Sequence, residues 1–78
     1  MLIRNPKKVT TIAEGRHSYL RGNAHHDGIE VEAFIFLSEA DERRLGTMLL
    51  GPEIEIECER VEFTPGIGLY VIGARLES

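Results

Sequence analysis

One cysteine, no tryptophan and three prolines in 78 residues leave this chain few ways to be stapled, anchored or kinked. The lone Cys58 excludes an intrachain disulfide and a multi-cysteine zinc site. The longest uncharged apolar run, Ala33 to Leu37, is five residues, far below the ~20 that cross a bilayer as a helix. Met1 to Pro6 lacks the apolar stretch of a signal peptide. These absences predict a soluble intracellular protein, cytoplasmic and without contact to membranes. Also missing are a Ser-His-Asp arrangement, a phosphate-cradling glycine loop and a carboxylate pair in a cleft. No enzymatic activity and no cofactor are therefore expected.

What is present is ordinary in amount and unusual in arrangement. With 42% hydrophobic and 28% charged residues, the composition is that of a folded domain and not of a disordered segment. Residues 1–78 are expected to form a single domain. A chain this short buries only about 60% of its unfolded surface, so a homodimer is expected to help its stability. Charge is segregated along the chain. Residues 1–26 hold five cations and one acid, while residues 27–78 hold four cations and twelve acids. Such asymmetry speaks to partners more than to fold. It predicts one basic edge offered to something anionic.

The pattern predicts five strands and one helix. Lys8 to Ala13 is rich in β-branched residues and reads as a first strand; Gly15 ends it, and Ser18 to His25 makes a second. His26-Asp27-Gly28 supplies the residues that a tight hairpin turn with φ > 0 requires. In the third strand, Ile29, Val31, Ala33, Ile35 and Leu37 alternate with Glu30, Glu32, Phe34 and Phe36, giving one wholly apolar face. A helix is predicted from Ser38, with the Ser38 hydroxyl as cap and Glu39, Asp41 and Glu42 at the positive end of its dipole. Leu45, Met48 and Leu49 would form its apolar stripe and plug one end of the fold, and Gly51-Pro52 would stop it. Ile54, Ile56 and Cys58 then alternate with Glu53, Glu55, Glu57 and Glu59. The phase slips at Arg60-Val61, which predicts a β-bulge near Arg60. After the Thr64-Pro65-Gly66 turn, Leu69 to Leu76 is the last strand, and Gly73 within it marks a bend or a close backbone approach. The order predicts a mainly β (α+β) fold, a small five-stranded OB-like barrel with one helix between strands 3 and 4. An open sheet with a covering helix is the alternative.

Candidate binding residues cluster in the basic third. Lys7, Lys8, Arg16 and Arg21 are interleaved with Tyr19, and single-stranded nucleic-acid binders combine such cations with rings on which bases stack. Phe34 and Phe36 lie on the third strand's polar side, so they either extend that platform or bury themselves in a second small core or a dimer interface. His25, His26 and Asp27, with His17, have metal-ligating chemistry. Adjacent strand residues point to opposite faces, however, and no metal is expected. Cys58 is in phase with Ile54 and Ile56, as a small buried hydrophobe would be. The glutamate row from Glu53 to Glu59 keeps a strand soluble or meets a basic partner.

Gly15-Arg16-His17-Ser18-Tyr19-Leu20, the hairpin into Ile29–Leu37 and the closing Ala74-Arg75-Leu76 resemble the small single-stranded-DNA-binding proteins of filamentous phages. The resemblance covers about half of the chain, with His17 where that family has proline and acids where its later strands have lysines. It implies a dimeric OB-type barrel without enzymatic activity, in which Arg16, Tyr19 and Arg21 take phosphate and stacking roles. Two functions follow as expectations. The first is binding of single-stranded DNA or RNA through the basic edge. The second is a protein-interaction module, an adaptor or small inhibitor, using the acidic strand or the phenylalanines.

Overall fold

Alternating apolar and polar residues fold this chain almost entirely into strands. The computed structural model describes residues 1–11 and 17–76. They form β1 (Leu2–Thr11), β2 (His17–His26), β3 (Ile29–Leu37), β4 (Glu53–Glu57), β5 (Arg60–Thr64) and β6 (Gly68–Leu76). Helix α1 (Glu39–Arg44) and a 3₁₀ turn, Leu45–Thr47, lie between β3 and β4. The fold is mainly β, with its helix between the third and fourth strands as the sequence predicts. All six strands belong to one sheet, ordered β3-β2-β1-β4-β6-β5, and β3 also pairs with β6. The pairings thus run from β3 through β2, β1, β4 and β6 back to β3. Only β3–β6 is parallel.

The β2–β3 hairpin forms as its turn residues require. Asp27 and Gly28 take φ of 52° and 79°, and His26 faces Ile29, which matches the handedness of the strands on either side. On β3, Ala33 and Ile35 are buried and Val31 and Leu37 half-buried, whereas Ile29 at the hairpin end is exposed. The first strand begins at Leu2 and not at Lys8. Pro6 is tolerated inside it because the register against β2 shifts between Arg4 and Lys7, with Asn5 at φ 51°. A bulge is where a strand accepts proline, and the freed Asn5 N–H donates to the Pro52 carbonyl at 2.8 Å. Ile12 and Ala13, the predicted end of this strand, lie outside the described residues.

Six strands replace the predicted five because the expected fourth is divided at Cys58–Glu59. Its halves go to different places. β4 pairs with β1 and the end of β6, while β5 pairs with β6 alone. The interruption adjoins the bulge expected at Arg60. The Glu59 N–H donates to the Ile72 carbonyl at 3.1 Å, although Arg60 is the register partner of Ile72. Opposite this point Gly73 adopts φ 67°, and a Cβ there would come within 3.0 Å of the Glu59 side chain. Both strands change phase together: Ile56 gives way to Val61 on one, Ala74 to Val71 on the other. Gly73 therefore has the positive φ and register shift of a bent strand, and it is the Glu59 side chain, not another backbone, that lies close to it.

The helix is shorter than its apolar pattern predicts. It ends at Arg44, and by Met48 the chain is extended. Gly46 and Thr47 are poor helix formers, and the Thr47 hydroxyl donates to the Arg44 carbonyl at 3.1 Å, a local bond that competes with continuing the helix. Leu45 enters the core, whereas Leu49 is 99% exposed; the predicted stripe of Leu45, Met48 and Leu49 does not form. Nor does the Ser38 hydroxyl cap a backbone amide; it lies 3.4 Å from Asp41 Oδ2. The helical acids hold strand ends instead. Buried Asp41 accepts the Leu76 N–H at 3.0 Å and Arg44 Nη1 at 3.0 Å, and Glu42 Oε1 accepts the Ser18 N–H at 3.0 Å. With Ser38 N–H bound to the Ala74 carbonyl at 2.8 Å, α1 is tied to both β2 and β6. The core joins Ile3, Leu20, Ile35, Leu45, Ile56, Leu69 and Val71 with Ala24, Ala33 and Ala74.

Candidate nucleic-acid interface

Strand register decides which side chains share the outer face. Lys7 faces Arg21, Arg21 faces Phe34, Phe34 faces Tyr70, and Tyr70 faces Glu62. One rung further, Val9 faces Tyr19, and Phe36 faces Ile72, which faces Arg60. Residues directly opposite one another point to the same side. The two rungs therefore lay four rings on one surface, from β2, β3 and β6. Phe34 and Tyr70 have centroids 5.3 Å apart, Tyr19 and Phe36 5.5 Å, and Phe36 and Tyr70 6.2 Å. Interplanar angles of 12° to 30° make these offset stacks, not edge-on contacts. Phe36 remains 41% exposed, so the patch presents ring surface to solvent.

Cations border this patch on the β1–β2 side. The Arg21 guanidinium carbon lies 5.4 Å from the Phe34 centroid, within cation–π range. Arg21 also bonds Glu32 through Nε and Nη2. That hydrogen bond, and then the carboxylate charge, raise the Arg21 pKa above its ordinary value. Lys7 is exposed and makes no ion pair among the described residues. A groove of about 420 Å³ is lined by Asn5, Lys7, Lys8, Arg21, Asn23 and Glu32; it shares Arg21 with the patch and none of the four rings lines it.

The structure gathers some of the sequence's candidates and separates others. Lys7, Tyr19, Arg21, Phe34 and Phe36 share the patch. Lys8 does not, because it is one residue out of phase and its ammonium donates to the Met48 carbonyl. Arg16 lies outside the described residues. Tyr70 is the ring that sequence reasoning missed. The signal was its alternation with Leu69 and Val71, which puts Tyr70 and Ile72 on the side where a solvated strand is polar. His25 and His26 diverge as adjacent strand residues do. His26 stacks on Phe63 at 4.5 Å and lies 3.5 Å from Asp27, while His25 is exposed. Among the described residues, no three His, Cys, Asp or Glu side chains are grouped to hold a metal. On the glutamate row, Glu53 is in register with Arg4 and Glu57 is 3.5 Å from Arg75.

No family model, curated protein or solved structure matches this chain. No helix among the described residues is long and apolar enough to cross a membrane.

Proposed function

We propose that this chain is a small non-enzymatic OB-type barrel that binds single-stranded nucleic acid on the outer face of β2, β3 and β6. The barrel reading is supported by the return of the strand pairings from β6 to β3 and by the helix between β3 and β4. The function rests on one observation, four near-parallel rings from three strands, half-buried except for the exposed Phe36, beside Arg21 and Lys7. Bases need flat apolar faces and phosphates need charge, and this surface offers both. The protein-partner reading through the acidic strand is weakened by Arg75, which Glu57 meets at 3.5 Å within its own chain.

The test is titration of a fluorescent, unstructured oligonucleotide over a salt series. Tyr19→Ala and Phe36→Ala are each expected to weaken binding by about 1–3 kcal/mol. Arg21→Ala is expected to flatten the slope of log affinity against log salt by about 0.7. Absence of binding by the wild type at low salt, where attraction to phosphate is strongest, would sink the proposal and leave the rings to a protein partner.

A further inference from the structure

Among the described residues, β5 is the terminal strand in the sheet order. β5 pairs with β6 from Arg60–Ile72 to Thr64–Gly68 and has no strand on its other side among the described residues. Alternate backbone groups of an antiparallel strand point away from its neighbour, so half of those on β5 face outward. An edge of this kind is a template for another strand. Its core-facing side chains are incompletely covered, with Val61 38% and Phe63 42% exposed, and Ile67 in the following turn is exposed as well. No lysine or proline interrupts Arg60–Thr64. Its two charges, Arg60 and Glu62, are opposite in sign and lie on one face.

We propose that a second copy of this chain adds its own β5 to this edge, antiparallel and centred on Val61. In that register Arg60 of each copy lies opposite Glu62 of the other, and Val61 meets Val61. Centring on Glu62 instead would oppose two carboxylates, and like charges directly across a strand pair are destabilising. Within each copy Arg60 Nε is already 3.2 Å from Glu62 Oε1, so four alternating charges meet at the joint. The contact is isologous and closes at two copies. It also buries Val61, the apolar residue at its centre. Because opposed residues share a face, the outer surfaces of both copies stay on one side. Glu62 continues the rung of Phe34 and Tyr70, and Arg60 the rung through Ile72. The two aromatic patches then flank a single joint.

Sedimentation equilibrium of wild type, Arg60→Glu, Glu62→Arg and the double exchange tests this directly. The wild type is expected to dimerise, and each single reversal to weaken self-association by about tenfold or more, since it turns both attractive cross-strand pairs repulsive. The double exchange restores opposite charges and is expected to restore the dimer, which separates pairing from misfolding. Phe36→Glu is expected to leave the dimer intact. A wild type that stays monomeric at millimolar concentration would overturn the inference. So would an association that neither reversal moves, a double exchange that fails to rescue, or a dimer lost with Phe36→Glu, which puts the seam on the aromatic patch.

Discussion

Arg21 has two competing attachments, the face of Phe34 and the carboxylate of Glu32. The Arg21 and Glu32 side chains are 52% and 39% exposed, so the ion pair adds little to folding, yet it decides what the guanidinium offers a ligand. A phosphate must displace Glu32 or bind beside it. Replacing Glu32 by glutamine removes the competing charge and leaves the side-chain shape. The expected outcome is tighter oligonucleotide binding at low salt, a gain that is lost when Arg21 is also replaced by alanine. A gain that persists in the Arg21→Ala background of the same fluorescence titration would show that Glu32 does not act through the guanidinium.

At the scale of elements, α1 is a clamp more than a plug. A helix of six residues is too short to be stable alone, and its contribution comes from Leu45 in the core and from Asp41 and Glu42 on strand amides. Leu45→Ala is accordingly expected to cost about 2–5 kcal/mol in urea unfolding, as buried leucine truncations do. Leu49→Ala, at a side chain left in solvent, is expected to stay within about 0.5 kcal/mol. Equal costs at the two positions would mean that the chain after Arg44 packs differently. The aromatic patch is likewise a product of elements, since β2, β3 and β6 each contribute rings that no one strand brings together.

For the whole molecule, the decisive pairings are remote in sequence. β3 pairs in parallel with β6 across the helix and two strands, and the Ile56 N–H donates to the Met1 carbonyl at 2.9 Å. Such closures cost chain entropy before any contact offsets it. Folding is therefore expected to take milliseconds to seconds, as in β proteins dominated by non-local pairs, and not microseconds. Stopped-flow fluorescence of the tyrosines measures it, and a main phase complete within the dead time would contradict this topology.

The sequence by itself determined the elements whose signals are local. Asp27-Gly28 set the hairpin, the alternation from Ile29 to Leu37 set β3, Gly73 set the bend, and Phe34 and Phe36 stood visibly on the wrong side of their strand. It misjudged the elements in which a distant contact overrules local preference. The β-branched run placed the start of β1 at Lys8, whereas a bulge and the Pro52 carbonyl let the strand begin before Pro6. The apolar positions after Leu45 promised a helix that the chain leaves before reaching β4. Asp41 and Glu42 read as partners of a helix dipole, and they proved to be acceptors for strands 35 and 24 residues away in sequence. The association of Tyr19, Arg21, Phe34, Phe36 and Tyr70 belongs wholly to the tertiary structure. Periodicity tells which face a side chain takes, but only register against two neighbouring strands tells what lies beside it.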